Sequence, residues 1–446
     1  MQIKSIIYTL LLAHLEYPIY GLTGPVTSRS TFVHQGAAAA SVGMLGDGIK
    51  PVNQLTSLNA GTGLSTDSST QSGSVTRNLK RVGYSSISLK VQVPSVPAVD
   101  ENVVVAAKTA DERIIPYSTV DVPVSLWYPS QSSLETISKP VTYPYTISVP
   151  KIARLIAGWK QIPSFLARSF ELEPICLSNK ISNEPVMELV REDVISSSGV
   201  LPGSAPVLLL AHGYLGSRFD LCHLAEEMAR FGFICISPEY PESLSATYEP
   251  LPMLDRDLIT ETVLSELTYK MGVSPTSFGV VGHSLGCGTA MTIGDSTWAR
   301  VCIAGPPALR GSPSPTAMKN ANESAILCVA SINDGAVTFD RVKPLIPNDF
   351  VRMVAEEHTI EDTPLPRRAA VLFQNPSTAP NHISFLSEGV NNAMIETLSP
   401  LLVLAKALSL PVLDFDKYKD SRDSFQTAQN VVPLVRNFLL QNMIIK

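Results

Sequence analysis

Residues 282–286, Gly-His-Ser-Leu-Gly, place a serine where it could act as a nucleophile. An apolar run of strand character precedes this pentapeptide, and small residues compatible with a helix follow it. A Gly-x-Ser-x-Gly sequence between a strand and a helix forms a tight turn that presents the serine hydroxyl above a parallel sheet. Glycine suits both positions because the strand and helix backbones approach closely there. The pattern therefore identifies Ser284 as the candidate nucleophile of an acyl-transfer reaction.

A serine nucleophile needs a base, which in this arrangement follows both the serine and the acid along the chain. His358 and His382 are the two histidines that follow Ser284. His358 lies among acidic residues before the last predicted strand, and we interpret it as a solvated position. His382 lies on a loop after that strand, from which a base can reach the serine. We therefore predict that His382 is the base.

The carboxylate that orients the base should lie on a loop after a strand that follows the nucleophile. The first such strand, residues 300–304, continues into Gly-Pro-Pro and offers no carboxylate. The second, residues 325–330, continues into Ser-Ile-Asn-Asp-Gly, which contains Asp334. We predict Asp334 as the acid, with Asp340 as the alternative.

The oxyanion of a tetrahedral intermediate needs backbone N–H donors. We predict one donor at Leu285, the residue after the nucleophile, and the other at Tyr214. Tyr214 follows the strand predicted at residues 206–211, within His-Gly-Tyr-Leu-Gly. Gly213 in this segment allows the backbone to turn its amides toward the site.

Composition argues against several partners. The formal net charge is −6 and the chain has no long basic run, which argues against a nucleic-acid partner. The histidines, cysteines and acidic residues do not show the spacing of metal ligands, so we expect neither a metal ion nor another cofactor.

His212 and His283 stand in the two predicted active-site loops, and we interpret them as structural hydrogen-bonding residues.

The elements that must position these groups alternate between strand and helix patterns from about residue 84. The run at 206–211 is continuously apolar, as expected of a parallel strand covered on both faces. The other predicted elements are strands at 87–93, 120–128, 233–237, 277–281, 300–304, 325–330 and 369–373, and helices at 219–231, at 253–271, after Leu285 and at 430–440. This order predicts an α/β-hydrolase fold, with a mostly parallel central sheet and helices on both faces.

The chain divides into three parts by composition. Residues 1–21 carry a lysine before a short apolar run, which is similar to a signal peptide and too short to span a bilayer. Residues 22–80 are predicted to be a disordered leader, because Ser and Thr make up 11 of the 21 residues from 56 to 76. Residues 81–446 form the predicted hydrolase domain, with an insertion at about 131–205. We expect the protein to enter the secretory pathway, as a secreted or endomembrane protein, with a plastid or another organelle as the alternative.

The insertion contains a segment that could contact lipid. Within residues 151–170, apolar side chains up to Trp159 recur at helical spacing with basic residues between them. Pro163 should interrupt the helix, and Phe165 continues the apolar pattern. A basic amphipathic helix with Trp and Phe can lie in a membrane interface. We predict Trp159 and Phe165 as substrate or membrane contacts, with peripheral association at a lipid surface; an ordinary cap packed on the domain is the alternative.

Several segments together resemble the platelet-activating-factor acetylhydrolase family of α/β-hydrolases. The resemblance covers most of residues 115–440 and is carried by 122–129, 212–218, 231–234, 238–248, 282–286 and 382–385. It implies a serine esterase or lipase that releases a short or modified acyl group from a phospholipid through an acyl-enzyme, without calcium or a cofactor. In that family the acid usually follows the strand directly after the nucleophile helix. This chain has Gly-Pro-Pro there, so its acid is expected one strand later.

The sequence leaves two alternative functions open. The chain has a looser similarity to chlorophyllases, which share the His-Gly segment and the Gly-His-Ser turn but commonly carry Arg at the position of Leu285. That similarity implies hydrolysis of another lipophilic ester, such as chlorophyll. The second alternative is a hydrolase-fold protein that binds partners without catalysis, because a fold does not by itself secure an activity.

Overall fold

The computed structural model describes the following residues: 82–94, 117–130, 142–143, 145–157, 170–171, 175–176, 190–191, 201–250, 254–308, 314–355, 364–395 and 424–443. All of them belong to a compact unit, Asn78–Lys446, and the second unit, Met1–Arg77, lies outside them. The predicted signal-like segment and leader, His358, Trp159 and Phe165 also lie outside the described residues.

Strands and helices alternate along the described part of the chain. The strands are β1 (Val82–Pro94), β2 (Tyr117–Pro129), β3 (Thr142–Tyr143), β4 (Thr146–Ile147), β5 (Phe170–Glu171), β6 (Ile175–Cys176), β7 (Val190–Arg191), β8 (Ser204–Ala211), β9 (Ile234–Pro238), β10 (Ser274–His283), β11 (Ala299–Ile303), β12 (Ala325–Ser331), β13 (Val351–Val354) and β14 (Arg368–Phe373). The α-helices are α1 (Val149–Ala157), α2 (Cys222–Arg230), α3 (Arg256–Tyr269), α4 (Gly286–Thr292), α5 (Pro315–Glu323), α6 (Phe339–Val342) and α7 (Ser424–Met443). Short 3-10 helices span Lys343–Leu345 and Ile383–Phe385.

Ten of these strands form one sheet in the order β13-β14-β12-β11-β10-β8-β9-β2-β1-β7. The seven strands from β13 to β9 run parallel to one another, and β2 runs antiparallel to both of its neighbours. The chain moves from β8 outward to β9, then returns to place β10 on the other side of β8. This reversal creates a crevice at the carboxyl ends of β8 and β10, where ligands bind in open α/β sheets.

Helices cover both faces of the central sheet. In β8, Leu208 and Leu210 lie in one apolar cluster, whereas Val207 and Leu209 lie in the other. Successive side chains point to opposite faces of a strand, so a strand that is covered on both sides must be apolar at every position. Helices α2 and α7 complete the first cluster, and α3 and α4 complete the second. Full burial of each such side chain contributes about 1.5–3 kcal/mol to the free energy of unfolding.

The predicted strands all overlap observed ones, and the differences have local causes. β1 and β2 are each 13 residues long and longer than predicted, because their antiparallel hydrogen-bond ladder continues beyond the apolar residues. β13 was not predicted, because this edge strand is mostly exposed and lacks a buried apolar pattern. Helix α3 begins later than predicted, at the point where the Asp255 side chain accepts a hydrogen bond from the Leu258 N–H at 2.7 Å.

Helix α1 lies within the predicted insertion and is tied to the loop after β9. The buried Lys151 ammonium donates to the carbonyl of Ser245 at 2.6 Å and to that of Tyr248. The exposed Arg154 pairs with Glu249 at 3.0 Å. The two basic residues therefore differ in environment: Lys151 is buried against the loop after β9, whereas Arg154 is exposed.

Candidate active site

Ser284 lies in a sharp turn between β10 and α4. Its φ angle is +54°, a left-handed conformation that is uncommon for a residue with a side chain. A Cβ at Gly282 would overlap the Gly286 carbonyl, and a Cβ at Gly286 would overlap the Ala211 carbonyl of β8. Both flanking glycines are therefore required by close backbone packing. The turn leaves the serine half-buried at the carboxyl end of β10.

His382 and Asp334 form a buried pair on two loops that follow neighbouring strands. Asp334 follows β12, His382 follows β14, and Nδ1 of His382 lies 2.8 Å from Oδ2 of Asp334. The other carboxylate oxygen of Asp334 accepts the backbone N–H groups of Ala336 at 2.9 Å and Val337 at 2.7 Å. The carboxylate is thus fixed by its own loop and presents one oxygen to the imidazole. Asp340, the alternative acid, is exposed near the start of α6.

His283 connects the nucleophile turn to the loop of His382. Its Nε2 donates to the backbone carbonyl of His382 at 3.0 Å, and the two imidazole rings are 4.8 Å apart. Burial and the neighbouring His382 lower the pKa of His283 to about 3, so the ring is neutral near pH 7. This arrangement agrees with the structural role predicted for His283, and it brings the His382 loop against the residue that precedes Ser284.

The loop after β8 lies against the nucleophile. A Cβ at Gly213 would lie 3.1 Å from the Ser284 Cβ and 3.2 Å from Nδ1 of His283, which shows how closely this backbone approaches the turn. Within the part of the chain that the structure describes, the backbone N–H of Tyr214 has no hydrogen-bond acceptor. The predicted donors at Tyr214 and Leu285 therefore belong to two loops that meet at Ser284.

The structure brings Ser284, His382 and Asp334 to the carboxyl edge of the sheet, together with the Tyr214 loop. These distant segments lie on one side of the sheet because β8, β10, β12 and β14 run parallel, so that their carboxyl ends all face that side. Acyl transfer requires a serine nucleophile, a histidine held by a carboxylate and a backbone donor for the oxyanion, and the described residues supply all three; among them, the Tyr214 N–H has no acceptor.

No family model and no curated protein matches the chain. Among solved structures, it is similar to a ferulic acid esterase from Streptomyces cinnamoneus, with 15% identity, coverage of 83% of this chain and 91% of that one, and a TM-score of 0.40. It is also similar to an esterase from Pyrococcus furiosus, with 14% identity, 44% and 82% coverage and a TM-score of 0.29. A putative dienelactone hydrolase from Klebsiella pneumoniae matches with 11% identity, 70% and 97% coverage and a TM-score of 0.29.

The chain has an α/β-hydrolase fold. The order and direction of its strands, together with the turn at Ser284, are those of this fold. The predicted fold class is therefore confirmed.

Sequence reasoning missed one group at the site, the guanidinium of Arg256. An arginine at a helix start is usually solvated, yet this side chain is 3% exposed and donates to the backbone carbonyl of His212 at 2.9 Å. No local pattern distinguishes it, because the contact joins residues 44 positions apart.

Other features of the described residues lie away from this chemistry. A cavity of about 440 Å³ opens at the amino ends of β11, β12 and β14, on the edge opposite Ser284, and is lined by polar residues such as Arg367 and Gln441. The described residues contain no group of three or more His, Cys, Asp or Glu side chains arranged to hold a metal ion. None of the helices among them is long and apolar enough to cross a membrane.

Proposed function

We propose that this protein is a serine esterase that hydrolyses a lipid ester through an acyl-enzyme. The proposal is supported most by two features that the His283 side chain joins: the strained turn at Ser284, and the buried His382–Asp334 pair, whose His382 backbone carbonyl accepts a hydrogen bond from His283 in that turn. In the acylation step, Oγ of Ser284 attacks the ester carbonyl while Nε2 of His382 takes the hydroxyl proton. The backbone N–H groups of Tyr214 and Leu285 stabilise the oxyanion.

The second half of the reaction returns the enzyme to its starting state. The tetrahedral intermediate expels the alcohol, which receives the proton from His382, and leaves the acyl group on Ser284. Water then attacks the acyl-enzyme, with His382 again as the base, and the carboxylic acid departs. Asp334 holds the imidazole in the tautomer that accepts a proton at Nε2, and it stabilises the imidazolium that forms.

The proposed substrate class is a phospholipid with a short or modified acyl group, similar to the substrates of platelet-activating-factor acetylhydrolases. The position of the insertion supports a lipid substrate. The phenol of Tyr214 donates to the carbonyl of Leu155 at 2.9 Å, so helix α1 of the insertion borders the loop that contains the proposed oxyanion donor. The chain continues from α1 to Trp159 and Phe165. We propose that these side chains contact lipid at the mouth of the site.

A substrate panel tests the proposal. It compares an acetyl phospholipid, a long-chain phospholipid, a soluble p-nitrophenyl ester, chlorophyll and a feruloyl ester, each assayed with and without excess chelator. We expect the acetyl phospholipid to give the highest kcat/KM and the chelator to have no effect. Hydrolysis of chlorophyll or a feruloyl ester in preference to every phospholipid would reject the lipid assignment but keep the esterase mechanism.

The contact with lipid is tested by the double substitution Trp159→Ala and Phe165→Ala. Loss of two aromatic anchors should weaken binding to phospholipid vesicles and slow hydrolysis of aggregated lipid by about tenfold or more, with little change on a soluble short-chain ester. Tyr269→Ala is the matched control, because it also removes an aromatic side chain, one that is 83% exposed at the end of α3. An equal loss on both substrates would mean that the two aromatic residues support the fold rather than contact lipid.

A further inference from the structure

Arg256 donates hydrogen bonds to two successive carbonyls of the loop that follows β8. Its Nη1 lies 2.9 Å from the carbonyl oxygen of His212, and its Nη2 lies 3.4 Å from that of Gly213. Nη1 also lies 3.4 Å from Oγ1 of Thr289 in α4, and Nε donates to Oε2 of Glu242 at 3.2 Å. One buried guanidinium therefore bridges the loop of Tyr214 to the helix that follows Ser284.

The His212 ring donates a further hydrogen bond to the carbonyl of Gly213. Nε2 of His212 accepts the backbone N–H of Tyr240 at 2.9 Å, so the ring proton is on Nδ1, which donates to the Gly213 carbonyl at 2.8 Å. Burial lowers the pKa of His212 well below its usual value, which keeps the ring in this neutral form. Two donors thus fix the direction of a single carbonyl.

The direction of that carbonyl determines the direction of the next N–H group. In a planar trans peptide the carbonyl and the following N–H point to opposite sides. Because the Gly213 carbonyl faces Arg256 and His212, the N–H of Tyr214 faces away from both. The backbone at Gly213 is the part of the loop that lies against Ser284. The same loop is also tied to Glu242, whose carbonyl accepts the backbone N–H of Leu215 at 3.1 Å.

We propose that Arg256 is a positioning residue of the oxyanion hole. With Glu242 it orients the peptide between Gly213 and Tyr214, so that the Tyr214 N–H is aimed at the carbonyl oxygen of the substrate before the reaction begins. The inference rests on the proposed function, because the donor matters only if an oxyanion forms at Ser284.

A backbone N–H that already points at the position of the oxyanion stabilises the transition state more than it stabilises the bound substrate. Lysine in place of Arg256 keeps the positive charge beside Glu242 but cannot donate from a planar fork to several acceptors at once. For Arg256→Lys and Arg256→Gln we expect kcat to fall by about 10- to 100-fold and KM to change by less than about threefold. Glu242→Gln should lower kcat less, in the same direction.

The experiment measures kcat and KM on a soluble ester and the affinity of the same proteins for an alkylboronic acid, which forms a tetrahedral anionic adduct with a serine. If Arg256 positions the donor, boronate affinity should fall by the same factor as kcat/KM. Arg300→Gln is the matched control, since Arg300 is also buried but donates to the carbonyls of Ile293 and Asp295, both at 2.7 Å, and to that of Ala290 in α4, rather than to those of His212 and Gly213. Thermal unfolding of every variant is measured in parallel.

The outcomes separate the inference from the function on which it rests. A wild-type protein that neither hydrolyses the ester nor binds the boronate would overturn both. An active wild type whose Arg256 variants keep kcat within about twofold, or lose it only as much as the Arg300 variant at equal loss of stability, would overturn the positioning role alone. A selective fall in kcat and boronate affinity would support it.

Discussion

Ser284→Ala and His382→Ala should each lower kcat for ester hydrolysis by about 10⁵- to 10⁶-fold, and the double variant should be no slower than either single one. The two groups act as one unit, because the serine hydroxyl is a weak nucleophile until the imidazole takes its proton. Once one of the two groups is removed, the other no longer contributes to catalysis, so the decreases in kcat of the two single variants do not add. The measurement is kcat for the two single variants and the double variant on a soluble ester.

Both variants should remain folded. Ser284 is half-buried in a turn that is fixed by backbone contacts of its glycines, so loss of the hydroxyl leaves the packing intact. Ser296→Ala is a suitable control, because that serine lies near the amino end of β11, whereas Ser284 lies at the carboxyl ends of the strands. Its hydroxyl donates to Glu323 at 3.1 Å. It should keep wild-type activity. Substantial hydrolysis by folded Ser284→Ala would end the proposed mechanism.

Asp334→Asn should lower kcat by about 10⁴-fold while the fold is retained. If the asparagine points its amide nitrogen toward Nδ1 of His382, the imidazole favours the tautomer that carries its proton on Nε2. A protonated Nε2 could no longer accept the proton of the Ser284 hydroxyl. The change is nearly isosteric, and the Asn carbonyl can still accept the N–H groups of Ala336 and Val337 that now bind the carboxylate. The measurement is kcat on a soluble ester.

Asp340→Asn is the matched control for this experiment. Asp340 is exposed near the start of α6, and we expect its substitution to leave kcat close to the wild-type value. If Asp340→Asn were the inactive variant and Asp334→Asn retained activity, the contact between Asp334 and His382 would not be the catalytic one.

The elements around the site could be predicted because their signals are local. The strand before Ser284 is apolar, the glycines on either side of the serine mark a tight turn, and the order of strands and helices points to one fold class. Asp334 could be chosen by position, since the loop after the preceding strand contains Gly-Pro-Pro and no carboxylate. These inferences depend on patterns within a few residues of one another.

The features that could not be predicted depend on contacts between distant parts of the chain. Lys151 was expected among the basic residues of an amphipathic helix, yet it is buried and donates to a carbonyl 94 residues away. Arg256 resembles a solvated helix start in sequence, and only the fold places its guanidinium against the His212 carbonyl. Burial of a long basic side chain depends on which backbone carbonyls surround it, and no pattern in the neighbouring residues encodes that arrangement.

Labelling with a fluorophosphonate probe, followed by peptide mass spectrometry, tests most directly whether Ser284 is a nucleophile activated by His382. We expect one phosphonyl adduct per chain, located on Ser284, with labelling absent in Ser284→Ala and strongly slowed in His382→Ala. An adduct on another serine, or a folded wild-type protein that does not react with the probe, would contradict it.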